Sequence, residues 1–161
     1  MVTRFIPPNF KIPELLETDR FRLRMLTVND VKKDYDAVIT SIEHLQETKP
    51  FGSTHKWPTE DLTYEQDLID LEWHQKEFQK RASFAYIVMN LDETECLGCT
   101  YIYPSDTPNY DAMIMMWVRQ SEVANGLDGL LFFSVKKWIH DKWPFEKVAY
   151  PGREIGWDGV E

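Results

Sequence analysis

The chain has 161 residues, which is enough for one domain with a substantial core and too few for two ordinary ones. Its formal net charge is −9, from 18 Lys and Arg against 27 Asp and Glu, and it has no basic run, so a nucleic-acid partner is not expected. No apolar stretch approaches the roughly 20 residues that cross a bilayer, and the N-terminus lacks the apolar segment of a signal peptide. Its two cysteines cannot form a disulfide scaffold, so we expect a cytoplasmic protein without membrane association.

The first half of the chain predicts a leader, a strand and two helices. Residues 1–17, which contain three prolines, form an extended leader to a single domain that covers residues 1–161. Residues 20–26 alternate between polar and apolar side chains, which is typical of a half-buried strand. Apolar residues at helical spacing over 31–42 predict the first helix, and a capping-box pattern begins the second, over residues 63–81.

The second half predicts three buried strands, a long helix and a short final strand. The buried strands cover residues 84–89, 97–103 and 111–118, and the first and third of them are apolar at nearly every position. Residues 126–142 carry apolar side chains at helical spacing and form the clearest amphipathic helix, and the last strand covers 147–150. In this order the elements predict a mixed α/β (α+β) sandwich rather than a doubly wound sheet.

The turn between the third buried strand and the long helix carries the strongest functional pattern. Residues 116–129 read MWVRQSEVANGLDG, so a buried strand ends in a polar turn and Gly126 opens the helix. The unpaired N–H groups of a first helical turn and the helix dipole attract anions, and a glycine lets phosphate oxygens approach the backbone. The same residues also fit an ordinary strand-to-helix turn with Gly126 as a flexible joint, and the local pattern leaves both interpretations open.

In the order and spacing of these features, the chain resembles the GNAT superfamily of acyl-CoA N-acyltransferases over nearly its whole length. The cofactor loop of that family has the pattern Q/R-x-x-G-x-G/A, whose three defined positions fall on Val123, Gly126 and Asp128. Residues 18–24, TDRFRLR, resemble the opening T-x-R-L-x-L-R of the ribosomal-protein N-acetyltransferase subgroup, and residues 97–98 resemble the third strand of the family, where a glycine recurs.

The resemblance implies a central, mostly antiparallel, twisted sheet flanked by helices. This sheet is expected to be shortened at the C-terminus, because little chain follows Tyr150 to form the helix and two strands that usually complete the fold. Acetyl-CoA is the implied co-substrate, bound in a V-shaped opening between two strands, with backbone groups on the pantetheine and on the pyrophosphate. The implied cofactor-binding residues are Met116, Trp117, Val118, Arg119, Ala124, Asn125, Gly126, Leu127, Asp128 and Gly129.

The resemblance also implies a reaction, in which the acetyl group of acetyl-CoA passes directly to an amine acceptor in a ternary complex. The acceptor is a primary amine of a small molecule or of a peptide N-terminus. The amine must be neutral to attack, so a base is required, and a tyrosine often protonates the departing thiolate. Residues near the expected cleft are Asp111, Glu122 and Glu154 as bases and Tyr150 as the acid.

Departures from the family pattern support a second hypothesis. Val123 lacks the polar side chain of the Q/R position, and Asp128 places a carboxylate near the phosphates, where like charge lowers affinity. The alternative is a GNAT-fold module that has lost catalysis and serves in binding or assembly. The sheet edge left by a short C-terminus would be exposed, and a second copy of the chain could cover it in a homodimer.

Other residues that could carry chemistry are interpreted as structural. Cys96 and Cys99 lie three apart on a predicted strand and would face opposite sides, and the histidines show no ligand spacing, so no metal site is predicted. The histidines are His44, His55, His74 and His140. Trp73 is assigned to the core. The acidic residues of the second helix form a solvated face, or alternatively attract a cationic acceptor: Asp67, Asp70, Glu72 and Glu77.

Overall fold

A six-stranded sheet with helices on both faces forms the body of the chain. The structure is a computed structural model that describes residues 5–160; residues 1–4 of the predicted leader and residue 161 lie outside it. The strands lie in the sheet in the order of the chain and are antiparallel, except for the last two, which are parallel. The predicted mixed α/β fold with a mostly antiparallel sheet is confirmed. The strands are β1 (Leu15–Glu17), β2 (Arg22–Met25), β3 (Phe84–Met89), β4 (Cys96–Pro104), β5 (Ala112–Val118) and β6 (Val148–Ala149), and the helices are α1 (Val31–Ile39), α2 (Ile42–Thr48), α3 (Tyr64–Gln79) and α4 (Leu127–Lys142).

Each face of the sheet has its own apolar core. The helix α4 covers one face, where Trp138 packs edge-on against Tyr86 with ring centroids 5.0 Å apart. The helices α1 and α3 cover the other face, where Val38 and Leu71 join Ile87 in one buried cluster. β3 is buried at every position because it lies between these two layers, which explains its unbroken apolar sequence. No helix within residues 5–160 is long and apolar enough to cross a membrane.

The helix predicted over residues 31–42 is wrong in one respect, because the structure divides it into α1 and α2. The hydroxyl of Thr40 donates to the Asp36 carbonyl oxygen at 2.7 Å, and Ser41 leaves helical geometry with a φ of −131°. Hydroxyl side chains compete in this way with the backbone hydrogen bonds of a helix. Ser41 Oγ accepts a hydrogen bond of 2.8 Å from the N–H of Gln120, so the break connects the helical layer to the loop after β5.

A β-bulge at Leu97 decides which face the two cysteines occupy. Cys96 and Gly98 pair with consecutive residues of β3, so Leu97 is an extra residue between them. The shift brings Cys96 and Cys99 to the same face, where their sulfur atoms lie within 4.8 Å of each other. The prediction that they face opposite sides is therefore wrong, because it assumed an unbroken period of two.

Candidate active site

β5 and β6 separate soon after they begin to pair, and a cleft opens between them. The two strands form only two residue pairs, Ala112 with Val148 and Met113 with Ala149. Beyond these pairs, residues 115–118 of β5 line a cavity of about 370 Å³. A strand edge with free peptide groups can bind an extended ligand in the manner of an added strand. The cleft lies where the family resemblance implies a V-shaped opening between two strands.

The N-terminus of α4 borders the same cleft. Gly126 is its N-cap residue with a φ of +73°, and a Cβ at this position would have no atom within 4 Å. This left-handed conformation favours glycine, and the open space admits a ligand to the backbone. The N–H groups of Leu127, Asp128 and Gly129 belong to the first helical turn, where helical geometry offers them no carbonyl partner. Together with the helix dipole they make this end of the cleft favourable for an anion.

Arg153 changes the charge at this anion-binding end. Its Nη1 and Nη2 atoms donate to the two carboxylate oxygens of Asp128, each at 2.8 Å, and Nη2 also donates to the Met116 carbonyl oxygen at 3.3 Å. The guanidinium lies over the ring of Phe132, 5.3 Å from its centroid. Asp128, which the sequence presents as an uncompensated negative charge beside the phosphates, therefore has a bidentate cationic partner. The two residues are 25 positions apart, and no sequence pattern connects them.

The residues predicted to bind the cofactor lie only partly at the cleft wall. Leu127 and Gly129 stand in the first turn of α4. The N–H groups of Asn125 and Gly126 donate to carbonyl oxygens inside the preceding turn, at 3.2 and 3.1 Å, so both are already engaged. Ala124 is exposed in the same turn. The predicted residues that do line the wall are Met116, Trp117, Val118 and Asp128.

Arg119 connects β5 to the helical layer instead of facing the cleft. Its N–H donates to the Leu97 carbonyl oxygen at 2.8 Å, and its guanidinium donates to the Cys96 carbonyl oxygen at 3.0 Å and to the Asp36 carboxylate at 3.1 Å. The residue is 7% exposed, and a buried guanidinium requires such partners because an unpaired buried charge is costly. Arg119 therefore fixes α1 against the end of β5.

The three carboxylates predicted as the base make contacts outside the cleft wall. Asp111 accepts hydrogen bonds of 2.8 and 2.9 Å from two backbone N–H groups in the turn before β6. Glu122 accepts a hydrogen bond from Asn125 in the loop after β5, and Glu154 pairs with Lys136 on the surface of α4. In this structure all three stabilise turns or surface contacts.

Tyr150, the predicted acid, lies one residue before the cleft wall begins at Pro151. It is 3% exposed, and its ring packs edge-on against Phe132 with centroids 5.3 Å apart. Burial and the nearby Glu154 carboxylate raise the pKa of its phenol, which keeps the side chain protonated and makes it a weaker proton donor. Its side chain nevertheless packs toward α4 and is not part of the wall.

A second cavity, of about 400 Å³, adjoins the cleft and was not predicted from the sequence. Two residues, Met115 and Trp157, line both cavities, so the cavities meet there. We call this second cavity the aromatic chamber. Its walls come from the loop after α2, from α3, β4 and β5, and from the 3-10 helix Trp157–Val160. The chamber is lined by Phe51, His55, Trp57, Asp70, Trp73, His74, Tyr101, Tyr103, Met113, Met115 and Trp157.

The composition of the aromatic chamber suits a cationic group. Ring faces attract cations, and Asp70 adds a carboxylate to the wall. Trp73, which the sequence assigns to the core, is 49% exposed and forms part of this wall, so that assignment is wrong. Phe51 and Trp57 are the sequence signal that could have predicted the chamber. Large aromatic residues in a loop are not needed for a helix or strand core, so they indicate a cavity or a binding site.

His74 is a buried titratable residue in the wall of the aromatic chamber. It is 6% exposed, and its Nε2 lies 3.6 Å from Asp70 Oδ2, within ion-pair distance. Its ring lies against that of Tyr101, with centroids 5.3 Å apart, and the Tyr101 hydroxyl in turn accepts a hydrogen bond of 2.9 Å from Trp117 Nε1. An imidazole held beside a carboxylate can serve as a general base. The sequence showed His74 only as one of four scattered histidines.

Comparison with known proteins shows similarity of structure at low sequence identity. The chain matches no protein-family model and no curated protein. It is similar to a ribosomal-protein-S5-alanine acetyltransferase from Vibrio fischeri, with a TM-score of 0.61 and 12% identity over 79% of this chain and 67% of that one. It is also similar to a ribosomal L7/L12 α-N-protein acetyltransferase in complex with coenzyme A, with a TM-score of 0.61 and 16% identity over 78% and 67% of the two chains. A third similar structure is the microcin C7 self-immunity acetyltransferase in complex with acetyl-CoA and AMP, with a TM-score of 0.57 and 14% identity over 78% and 66%.

Proposed function

We propose that this chain, which has the fold of the GNAT acetyltransferases, transfers an acetyl group from acetyl-CoA to a primary amine of a small molecule or of a peptide N-terminus. The observation that carries this proposal is the meeting of two cavities at Met115 and Trp157. The cleft has a free strand edge and a helix N-terminus, which suit pantetheine and a diphosphate. The aromatic chamber has a carboxylate, which suits an amine. Two adjoining cavities allow both substrates to be held at once, as direct transfer requires.

The acyl donor lies along β5 in this proposal. Peptide groups of residues 116–118 pair with the pantetheine amides, and the first-turn N–H groups of α4 bind the diphosphate. The thioester then reaches the junction of the cavities near Met115. A backbone N–H of β5 stabilises the oxyanion that develops on the thioester carbonyl, because a fixed donor needs no reorganisation during the reaction.

The acceptor enters as an ammonium ion, which the rings and Asp70 attract. His74 removes one proton, and Asp70 orients the imidazole and stabilises its charged form. The neutral nitrogen attacks the thioester carbon, the C–S bond breaks, and the thiolate of coenzyme A takes up the proton that the nitrogen loses as the amide forms. We therefore assign the role of base to His74, in the place that sequence analysis gave to Asp111, Glu122 or Glu154.

Two measurements test this function in sequence. Calorimetric titration with acetyl-CoA is expected to show one saturable site per chain, and a thiol-release assay with a panel of primary amines is expected to show turnover. His74→Gln should lose turnover and keep acetyl-CoA binding. His140→Gln is the matched control, since that side chain is 88% exposed at the far end of α4, and it should change neither. Absence of acetyl-CoA binding at millimolar concentration would overturn the proposal.

Arg153 favours a second candidate function, a GNAT-fold module without catalysis that serves in binding or assembly. Its guanidinium is part of the cleft wall and occupies the Met116 carbonyl oxygen, one of the groups that would pair with pantetheine. A fixed Arg153 would exclude the donor. The same calorimetric titration separates the two functions, because the module would bind no acetyl-CoA in the wild-type chain.

A second copy of the chain is the protein partner that we propose for either function. β6 is the last strand of the sheet and pairs with β5 through two residues only. A free strand edge is a template for pairing with another chain. Light scattering coupled to gel filtration tests this, and a mass equal to one chain at all concentrations would contradict it.

A further inference from the structure

Four buried acidic side chains meet between β4, α1 and α3. The sulfur atoms of Cys96 and Cys99 and a carboxylate oxygen of Asp34 all lie within 4.8 Å of one another. The Cys99 thiol donates to Asp34 Oδ1 at 3.4 Å, and the Asp67 carboxyl group lies beside that of Asp34. Asp34 is 4% exposed, Asp67 is 1% exposed, and both cysteines are 0% exposed. We call this group the thiol–carboxylate cluster.

No lysine or arginine forms an ion pair with this cluster within the part of the chain that the structure describes. Neither Asp34 nor Asp67 takes part in any ion pair with Lys, Arg or His among residues 5–160. Asp67 Oδ2 is buried and has no hydrogen-bond partner among residues 5–160. Buried carboxyl groups are costly unless they are neutral or bind a cation. A cation bound here would displace the protons of the thiols and carboxyl groups.

We propose that Cys96, Cys99 and Asp34 bind one zinc ion, and that Asp67, whose buried Oδ2 has no hydrogen-bond partner among residues 5–160, supplies the fourth ligand. Thiolate sulfur and carboxylate oxygen are both zinc ligands, and two thiolates disfavour magnesium and calcium. With ligand distances of about 2.3 Å for sulfur and 2.0 Å for oxygen, a tetrahedral site separates these two atoms by about 3.5 Å. Cys99 Sγ and Asp34 Oδ1 already have this separation, at 3.4 Å.

The fold brings these ligands together from three separate elements. β4 supplies both thiols on one face because of the bulge at Leu97, α1 supplies Asp34, and α3 supplies Asp67. Sequence reasoning excluded a zinc site because it placed the two cysteines on opposite faces of the strand, whereas the bulge brings both thiols beside the Asp34 carboxyl group. Zinc binding would release the thiol and carboxyl protons to solvent and link β4 to both helices.

A cobalt(II) titration of the reduced, metal-free chain is the deciding experiment. Cobalt replaces zinc in such sites and reports on its ligands by absorption, since bound thiolate gives a charge-transfer band in the near ultraviolet. Cys96 and Cys99 are the only cysteines in the sequence, so this band can arise only from the cluster. We expect the band to saturate at one cobalt per chain and to disappear when zinc is added. Absence of the band with cobalt in excess would overturn the proposal.

Variants then identify the remaining ligands. Cys99→Ser and Asp34→Asn should lose stoichiometric metal binding, measured as zinc retained after dialysis. Asp36→Asn is the control, because Asp36 lies on the same helix with its side chain 62% exposed, and it should retain one zinc per chain. Full zinc retention in Cys99→Ser would refute the site, as would a reduced wild-type chain that binds no zinc and forms a Cys96–Cys99 disulfide on oxidation instead. If a variant does not fold, the wild-type cobalt spectrum still decides the question.

Discussion

The charge at the helix end of the cleft depends on one pair, Asp128 and Arg153, and changing either partner should shift the affinity for acetyl-CoA in opposite directions. Asp128→Asn frees the guanidinium and raises the local charge by one unit. Arg153→Gln leaves the carboxylate unpaired and lowers the local charge by one unit. The double variant restores the wild-type balance. On this reasoning, removing the carboxylate tightens binding because it releases Arg153, whereas sequence analysis attributed the effect to an uncompensated negative charge.

The expected magnitude follows from the exposure of the pair. The side chain of Asp128 is 48% exposed, so the interaction with a phosphate is close to its value in water. Two unit charges 4 Å apart in water interact by about 1 kcal/mol, which changes a dissociation constant roughly fivefold. We therefore expect Asp128→Asn to bind acetyl-CoA roughly fivefold more tightly and Arg153→Gln roughly fivefold more weakly, with the double variant near the wild type.

Calorimetric titration at low and at high salt is the assay for this prediction. Added salt should shrink both differences, because it screens exposed charges. Asp141→Asn is a matched control: it breaks a pair of 2.7 Å with Lys137 near the other end of α4, and it should leave binding unchanged. If Arg153→Gln binds more tightly than the wild type, the guanidinium blocks the cleft and the reasoning from charge is wrong.

Three further predictions concern the sheet, the acceptor and alkaline stability. Gly98→Ala should lower the free energy of unfolding by about 3 kcal/mol or prevent folding, because its Cβ would lie 2.0 Å from the Trp117 carbonyl oxygen. Gly129→Ala places no atom within 4 Å of the new Cβ and should raise the free energy of unfolding by about 0.5–1 kcal/mol. Urea unfolding measures the change in each of these two variants. Asp70→Asn should raise KM for a cationic amine and not for acetyl-CoA in steady-state kinetics; an equal rise in both would exclude the chamber as the acceptor site. In the folded chain, burial is the main cause of a raised pKa at four tyrosines, so folding favours their protonated form. This contribution to the free energy of unfolding is present below about pH 10 and is lost as the pH rises further. Their tyrosinate absorbance should appear together with loss of the circular dichroism signal, and ionisation of the folded chain would contradict this. The four are Tyr86, Tyr101, Tyr103 and Tyr150.

Sequence periodicity predicted the elements that are buried in a regular way. β3 has the bounds predicted for it, and α4 begins one residue after the predicted start at Gly126, which is its N-cap. The break between α1 and α2 could not be predicted, because it depends on the contact of Ser41 with Gln120, 79 residues away. The strand at residues 15–17 was included in the leader, because its pairing with β2 is visible only in the sheet.

The candidate site was predictable only where the backbone supplies the chemistry. Gly126 and the end of β5 form a local pattern, and the structure places them beside the cleft. Side-chain chemistry was missed where it joins distant segments, as with Asp128 and Arg153 or with His74 and the chamber. The shared face of the two cysteines was missed for another reason. One bulged residue in a strand reverses the faces of all the residues that follow it.

α3 and β4 together build both the aromatic chamber and the thiol–carboxylate cluster. Asp67, Asp70 and His74 share one face of α3 at spacings of three and four, and Cys99 and Tyr101 share one face of β4 at a spacing of two. The predicted solvated face is therefore wrong for Asp67, which is 1% exposed. Asp67 lies one helical turn before Asp70, and Cys99 lies two residues before Tyr101 on the same face of β4. Zinc bound to Asp67 and Cys99 would therefore restrain the wall of the chamber. Metal removal should then weaken amine binding and leave acetyl-CoA binding unchanged in calorimetry, whereas equal loss of both would indicate that the metal stabilises the whole domain instead.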